Sequence, residues 1–219
     1  MQKIRAVVFD LDGTLLNTLD DLAAAVNAAL ATHQMPVRTL DEVRQRVGNG
    51  VKNLILRSVP DGTDEATALA VLATFKAYYA EHSMDATAPY EGIPALLASL
   101  HKAGVAMAVV SNKLESAVEA LRQHFFADTV TLAVGDLPTR PVKPAPDGTL
   151  WALQQLGVSP QEALFVGDSD VDIVTARNAG MPCLSVSWGF RDEAFLRQSG
   201  AETVVATVAE AQARIMERV

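Results

Sequence analysis

The feature that most constrains the fold is an apolar strand near the start of the chain with no other strand near it in sequence. Residues 4–9 (IRAVVF) have the apolar character of a buried strand, and they lead directly into the segment DLDGT at residues 10–14. Residues 16–87 then contain no strand candidate. Because a single strand is unstable without neighbours, this strand must pair with strands much later in the chain, and the segment between them must be an insertion.

The insertion is predicted to be a small bundle of helices. Apolar residues recur through it at helical spacing, and Thr39 followed by Glu42 resembles a capping box at the start of its second helix. The predicted helices are residues 20–33, 40–46, 51–59 and 63–83. The apolar face predicted for the first helix is Leu22, Val26, Ala29 and Leu30, and the face predicted for the last is Leu69, Leu72, Phe75 and Tyr79.

From residue 89 onward the pattern alternates between helix and strand. The predicted strands are residues 105–110, 129–134, 163–166, 183–186 and 203–205. The predicted helices are residues 93–103, 115–124, 147–156, 171–178, 193–198 and 208–217. This alternation favours an α/β fold with a doubly wound, mostly parallel, Rossmann-like sheet and right-handed crossovers. Residues 1–15 and 88–219 are therefore predicted to form the core, residues 16–87 an inserted all-helical domain, and the crossings at 15–19 and 86–90 a hinge.

Composition narrows the class of partner. A formal net charge of −8 over 219 residues disfavours nucleic acid and anionic membrane surfaces. No apolar stretch approaches the ~20 residues of a membrane span, and the start of the chain lacks a signal-peptide pattern. The single cysteine, Cys183, excludes an internal disulfide and is predicted to be a core strand residue. We expect a cytoplasmic monomer or homodimer with no nucleic-acid or membrane partner.

Polar residues follow the predicted strands at the points where ligands bind in open parallel sheets, beyond the carboxyl ends. They are Asp10 and Asp12 after the first strand, Ser111, Asn112 and Lys113 after the second, Lys143 in a Pro-rich loop, and Asp168, Asp170 and Asp172 after residues 163–166. Each group alone is typical of a turn, a helix cap or a solvated loop. Together at one edge of a sheet, they are expected to converge.

The converging groups are carboxylates, a lysine, a hydroxyl and free backbone N–H groups. Two carboxylates as close as Asp10 and Asp12 repel each other, which implies a metal, a shared proton or both. Carboxylate ligands favour a hard cation such as Mg²⁺, and no single acid-rich loop offers the ligand number that Ca²⁺ needs. A cation beside donors for an oxyanion is the arrangement of a phosphoryl-transfer site.

These segments resemble the four ordered motifs of the haloacid dehalogenase superfamily. The matching segments are residues 10–14, the Val-Val-Ser-Asn run at 109–112, Lys143 with Pro144, and residues 167–172. The helical insertion after the first motif resembles the small α-helical cap of that superfamily. Finer detail in residues 43–50, 110–113 and 188–190 resembles its phosphoglycolate phosphatase-like branch.

The resemblance implies a role for each motif residue. Asp10 would be the nucleophile, forming an aspartyl-phosphate, and a Mg²⁺ ligand. Asp12 would be the general acid/base, with its main-chain carbonyl on the metal, and Thr14 would orient the loop. The other implied roles are phosphoryl binding by Ser111, Lys143 and Asn112, metal ligation by Asp168, and direct or water-mediated support of the metal by Asp172, with the part of Asp170 open.

The resemblance also implies the kind of substrate, a small phosphorylated metabolite, with 2-phosphoglycolate preferred. The substrate carboxylate calls for a cation in the cap, for which the chain offers Arg44, Arg46, Lys52 and Arg57, while residues Gly48, Asn49 and Gly50 bring backbone close to a ligand. Within this set, Arg44 and Lys52 are the predicted substrate residues.

Other activities built on the same core remain alternatives. Pyrophosphate, nucleotide and sugar-phosphate hydrolysis stay open because the core meets only phosphate and metal. A sugar phosphomutase usually has a branched residue where this chain has Thr14. A phosphonate hydrolase would use a cap lysine near Lys52, but both that class and the dehalogenases lack the acid present here as Asp12. A non-enzymatic binding protein would be expected to lack one of the motif residues, and none is missing.

Overall fold

The computed structural model describes residues 3–219, which divide into two compact units. One unit consists of the described residues up to Leu16 together with Pro89–Val219, and the other is Asn17–Ala88. The chain passes between them at positions within two residues of the predicted boundaries.

The larger unit is built on a six-stranded sheet. Its strands are β1 (Ala6–Phe9), β4 (Ala106–Leu114), β5 (Leu132–Asp136), β6 (Ala163–Gly167), β7 (Cys183–Val186) and β8 (Val204–Val205). They lie in the order β5-β4-β1-β6-β7-β8. Neighbouring strands are all paired in parallel. The predicted α/β fold with a parallel sheet is therefore confirmed, and the isolated first strand does pair with strands that follow the insertion.

Strand β1 lies at the centre of this sheet, between β4 and β6. All four of its residues are buried there. Ala6 pairs with Ala106 and with Ala163, and Phe9 pairs with Val109 and with Val166. This register brings the ends of the three central strands to one edge of the sheet, where Asp10 begins.

Helices cover both faces of the sheet. The helices of this unit are α5 (Ile93–Lys102), α6 (Glu115–Phe126), α7 (Asp147–Leu156), α8 (Asp170–Ala179), α9 (Glu193–Gln198) and α10 (Val208–Met216), with a short 3₁₀ turn at Pro160–Glu162. Ala6 and Val8 pack on one face with residues of α7 and α8. Val7 and Phe9 point to the opposite face, since side chains alternate along a strand. There, α5 contacts β4 and α10 packs on α5. The predicted core position of Cys183 is confirmed, because it packs against the apolar residues on the face of Ala6 and Val8.

The smaller unit contains the four predicted helices, and no strand lies between them. Its helices are α1 (Leu19–Thr32), α2 (Leu40–Arg46), α3 (Gly50–Ser58) and α4 (Glu65–His82). The capping box at α2 is confirmed, since the Thr39 hydroxyl accepts from the Glu42 N–H and the Glu42 carboxylate accepts from the Thr39 N–H. Within the part of the chain that the structure describes, no helix is long and apolar enough to cross a membrane.

Three details of the secondary structure and one of side-chain burial differ from the prediction. The two chain crossings, predicted as plain linkers, pair as a two-stranded ribbon of β2 (Leu16–Asn17) and β3 (Ala88–Pro89). Strand β4 continues through Ser111, Asn112 and Lys113 to Leu114, with a register shift against β5 after Val110. Strand β5 starts later than predicted, at Leu132, because Thr129 and Val130 still donate to the carbonyl of Phe126 at the end of α6.

The fourth difference is Leu69, which was predicted to lie on the buried face of α4 and is 43% exposed. The buried residues of α4 are Ala68, Val71, Leu72, Phe75 and Tyr79. Successive helical residues are about 100° apart around the axis, so Leu69, one residue after Ala68, falls outside the stripe that Ala68 and Phe75 define.

Candidate active site

The loop that follows β1 turns sharply so that its acids stay at the edge of the sheet. The Asp10 N–H donates to the Val166 carbonyl (2.9 Å), which continues the pairing of β1 with β6 by one residue. The Leu11 carbonyl then accepts from the N–H groups of Leu15 and Leu16, both at 3.0 Å. Gly13 has φ 81°, a left-handed conformation that suits glycine.

Asp10 is held by a buried lysine. Nζ of Lys143 lies 2.9 Å from Oδ1 of Asp10, and the Leu11 N–H donates to the same oxygen at 2.7 Å. The same ammonium lies 2.7 Å from Oδ1 of Asp172. Lys143 thus bridges two carboxylates that sequence analysis predicted to converge on one site.

Burial by itself would lower the pKa of Lys143, but Asp10 and Asp172 outweigh it and hold the pKa above its ordinary value. The loop that carries Lys143 is fixed from β4, because the Asn112 side chain donates to the Lys143 carbonyl at 2.9 Å. Asn112, predicted to assist phosphoryl binding, has this positioning contact in the structure. Ser111 lies beside it in β4 and is also buried.

Asp168 follows β6 and faces the loop after β1. Its Oδ1 accepts from the Thr14 hydroxyl at 3.1 Å, and its Oδ2 accepts from the Phe190 N–H at 2.7 Å. Burial, together with the charge of Asp172, raises the pKa of Asp168 to about 7. The predicted orienting role of Thr14 remains a prediction, but its hydroxyl does join the two motifs.

Asp172 is fully buried in the first turn of α8. The N–H and the hydroxyl of Ser169 both donate to its Oδ2, at 3.1 and 2.6 Å, while its Oδ1 faces Lys143. Asp170, whose part was left open, is only half-buried and does not belong to the carboxylate cluster described next.

Asp10, Asp168 and Asp172 form a buried cluster in which one carboxylate oxygen from each lies within 4.8 Å of the others. Burial and the charges of Asp172 and Asp168 raise the pKa of Asp10 well above its ordinary value, despite the opposing effect of Lys143. The negative charge of carboxylates this close together is not fully balanced by Lys143, and three carboxylate oxygens are ligands that suit a hard divalent cation. The residues present therefore fit a divalent metal.

A second lysine, Lys113, which the sequence analysis placed at the converging edge without a role, holds Asp12. Nζ of Lys113 lies 2.9 Å from both carboxylate oxygens of Asp12, and the lysine side chain is 2% exposed. Lys113 is the third residue of the Ser-Asn-Lys run, so its position was visible in the sequence. Its pairing depends on β4 lying next to β1, which the sequence pattern does not specify.

The predicted substrate residues of the insertion all lie in the smaller unit, around the junction of α2 and α3. Gly48 and Gly50 have φ values of 126° and 81°, and Asn49 precedes the first residue of α3. Arg44 pairs with Asp41 on its own helix. Lys52 is exposed, and within residues 3–219 it makes no ion pair.

Comparison with known proteins assigns the chain to a family. The model of the haloacid dehalogenase-like hydrolases matches residues 7–186, and the chain belongs to this family. The predicted resemblance is thereby confirmed, and so is the prediction that the protein is an enzyme of the phosphatase class.

Three similar proteins illustrate the relationship. A phosphoglycolate phosphatase of Pseudomonas putida is 39% identical over 192 residues, covering 85% of this chain and 70% of the relative. An N-acetylmuramic acid 6-phosphate phosphatase of Pseudomonas aeruginosa is 35% identical over 190 residues, covering 86% and 84%. A crystal structure of a protein from Lactobacillus delbrueckii subsp. bulgaricus superposes with a TM-score of 0.93 at 33% identity, covering 98% of this chain and 99% of that one.

Proposed function

We propose that this phosphatase hydrolyses 2-phosphoglycolate to glycolate and phosphate, using Mg²⁺ and an aspartyl-phosphate on Asp10. The observation that carries the proposal is that Asp10 and Asp12 follow the central strand and each contacts its own buried lysine, Lys143 and Lys113. Two carboxylates held separately can take different roles, one as nucleophile and one as general acid/base. The relative from Pseudomonas putida supports the choice of ester.

In the first step, a carboxylate oxygen of Asp10 bonds to phosphorus while the ester oxygen leaves. Because Lys143 and the Leu11 N–H both contact Oδ1, we assign the attack to the other oxygen of this carboxylate. Asp12 enters this step in its acid form, having taken up a proton as the substrate binds, and gives that proton to the leaving oxygen. The ammonium of Lys143, with the Ser111 hydroxyl and the Asn112 amide, is assigned to the phosphoryl oxygens.

In the second step, water attacks the phosphorus of the aspartyl-phosphate and releases inorganic phosphate. Asp12, left ionised by the first step, removes the proton from that water and returns to its starting form. Lys113 holds both oxygens of Asp12 and so limits the orientations that this carboxylate can adopt. The Asp10 carboxylate is regenerated, and the cycle is balanced in atoms and protons.

The metal would be held by Asp10, Asp168 and Asp172, with the main-chain carbonyl of Asp12. Mg²⁺ at this cluster would stabilise the negative charge that develops on the transferring phosphoryl group. The three carboxylates of the cluster, once ionised, face the ammonium of Lys143, an excess of two negative charges. One divalent cation would balance that excess, which supports a divalent rather than a monovalent metal ion.

For the leaving group, we assign Lys52 and Arg44 to the glycolate carboxylate and Gly48, Asn49 and Gly50 to close backbone contact. Lys52 is the stronger candidate of the two cations. It is exposed and unpaired within the described part of the chain, whereas Arg44 already contacts Asp41.

A second candidate substrate is a sugar phosphate. This chain matches 84% of the length of the N-acetylmuramic acid 6-phosphate phosphatase, against 70% of the Pseudomonas putida protein. The core chemistry would be unchanged, and only the residues that meet the leaving group would differ.

The test of the mechanism is phosphate release with and without Mg²⁺ from phosphoglycolate, sugar phosphates, nucleotides and pyrophosphate. We expect phosphoglycolate to give the highest kcat/KM and Asp10→Asn to abolish metal-dependent release on every substrate. Asp136→Asn, at the end of β5 and outside the cluster, is the matched control and keeps wild-type turnover. Turnover by Asp10→Asn would refute the assignment of the nucleophile.

The test of the substrate is Lys52→Ala, with Lys76→Ala on α4 as a control for removing an exposed lysine. Lys52→Ala should raise KM for phosphoglycolate by about tenfold, the cost of one charge-assisted contact, and leave KM for a phosphate ester with a neutral leaving group unchanged. Equal effects on the two esters would contradict the assignment, and a preference for sugar phosphates in the screen would favour the second candidate.

A further inference from the structure

The segment Trp188, Gly189 and Phe190 follows β7, and its sequence was noted above without a role. We propose that it is a positioning element of the active site, which fixes Asp168 and the loop after β1 in one arrangement. The inference rests on the proposed role of Asp168 as a metal ligand. It adds residues that touch neither substrate nor the reacting atoms and act through Asp168 and Thr14.

The place of the segment follows from the sheet. Strands β1, β6 and β7 are neighbours and run parallel, so the residues after each of them reach the same edge. Asp10 follows β1, Asp168 follows β6, and Trp188 comes two residues after the end of β7.

The first contact fixes the orientation of Asp168. The Phe190 N–H donates to Oδ2 of Asp168 at 2.7 Å, while the Thr14 hydroxyl donates to Oδ1 at 3.1 Å from the opposite motif. A carboxylate held at both oxygens keeps one orientation about its terminal torsion. Such outer contacts on a metal ligand are what set its geometry before the metal arrives.

The second contact joins the segment to the loop after β1. The indole N–H of Trp188 donates to the Thr14 carbonyl at 3.1 Å. Thr14 is therefore bound at its hydroxyl by Asp168 and at its carbonyl by Trp188. The loop after β1, Asp168 and the segment after β7 are thus joined by a chain of hydrogen bonds that runs from Trp188 through Thr14 and Asp168 to Phe190.

The third observation is the close approach of backbone at Gly189. A Cβ atom added there would collide with the Gly13 carbonyl oxygen and with the Asp168 carboxylate. A Cβ atom added at Gly13 would collide with the same carboxylate. Glycine at both positions therefore lets two main-chain segments contact Asp168 directly, and larger residues would separate them.

The experiment compares Trp188→Phe with Trp151→Phe. The chain has only two tryptophans, and Trp151 lies on α7, partly exposed, where its ring stacks on Arg140. Trp188→Phe keeps an aromatic side chain, smaller than indole, and removes the N–H that binds Thr14. The readouts are the dissociation constant of Mg²⁺ by calorimetry on the metal-free protein, kcat and KM on phosphoglycolate, and thermal stability.

We expect Trp188→Phe to raise the Mg²⁺ dissociation constant about tenfold and Gly189→Ala by about ten- to a hundredfold, the range for residues that orient metal ligands. Both should lower kcat with KM changed less than twofold. Trp151→Phe should match the wild type. Because Trp151→Phe leaves Trp188 as the single tryptophan, its emission should also change on titration with Mg²⁺.

A purely structural segment would give a different result. Trp188→Phe would then lower the melting temperature and leave both the Mg²⁺ dissociation constant and kcat at wild-type values well below that temperature, which overturns the proposal. If Gly189→Ala does not fold, Trp188→Phe decides alone. Failure of the proposed function would instead appear as turnover by Asp10→Asn, a result that does not depend on the Mg²⁺ binding measurements.

Discussion

Lys113→Met tests the division of labour between the two lysines of the site. The substitution keeps most of the side-chain volume and removes the ammonium that contacts both oxygens of Asp12. Asp12 is then left as a carboxylate that is only 14% exposed and has lost that ammonium. Both stability and catalysis are expected to suffer.

The size of the effect follows from the geometry. Two unit charges 2.9 Å apart attract each other by about 6 kcal/mol at an effective dielectric constant of about 20. The cost of taking both ions out of water offsets about half of this, which leaves about 3 kcal/mol lost when one partner is removed. In a protein of this size, we expect the melting temperature to fall by roughly 6–12 °C.

The assay is a double-mutant cycle on stability with Asp12→Asn, Lys113→Met and the double variant. Each single variant removes one charge of the pair and the double variant removes both, so the coupling energy should be about 3 kcal/mol. Turnover is measured in parallel. Lys113→Met should lower kcat by about 10²-fold, part of what a general acid/base contributes, with KM little changed.

Lys102→Met, at an exposed position at the end of α5, controls for the loss of a lysine and should be neutral. The reasoning would be refuted by a coupling energy below about 0.5 kcal/mol, the level expected for an exposed pair. Wild-type kcat in Lys113→Met would show separately that the orientation of Asp12 does not depend on this lysine.

Two further predictions concern the carboxylate cluster and the helical unit. Because burial raises the pKa of Asp168 to about 7, the folded metal-free protein holds a proton there that the unfolded chain has released, so this carboxyl contributes stability that is lost as pH rises from about 4 to 7. The rise in melting temperature on adding Mg²⁺ should therefore be larger at pH 8 than at pH 5.5, and equal rises would contradict the cluster as the binding site. In the helical unit, Asp21 is buried and accepts from the N–H groups of Ala86 and Thr87 and from the Thr87 hydroxyl, so Asp21→Asn should destabilise the protein by about 2–3 kcal/mol in urea unfolding. Asp20→Asn, one residue earlier and exposed, should be neutral, and equal effects of the two would refute the assignment.

The convergence of the motif residues could be predicted because it follows from one rule of parallel sheets. Residues 10 and 168 each come directly after a buried apolar strand, and the carboxyl ends of such strands meet at one edge. The capping box at Thr39 was predictable for a similar reason, since its two partners are three residues apart and need no tertiary contact.

Two of the contacts that were not predicted depend on the order of the strands in the sheet. Lys113 reaches Asp12 because β4 lies beside β1, and Trp188 reaches Thr14 because β7 lies two strands away on the other side. The donor to Asp168 from Phe190 is a main-chain N–H, which has no side-chain signature in a sequence. Asp21 has a different reason, since aspartates are mostly exposed and nothing in the sequence marked this one as buried.

The two lysines divide the charge of the site unequally, and this bears on the order of events. Lys143 is shared between Asp10 and Asp172, so it can turn toward a phosphoryl group while Asp172 still holds it. Lys113 binds both oxygens of Asp12 and has no comparable freedom with respect to that carboxylate. The lysine of the proposed nucleophile is thus placed to respond to the substrate, whereas the lysine of the proposed acid/base fixes the orientation of that carboxylate. Among the catalytic steps, substitution of Lys143 should accordingly affect phosphate binding and attack together, while substitution of Lys113 should affect proton transfer.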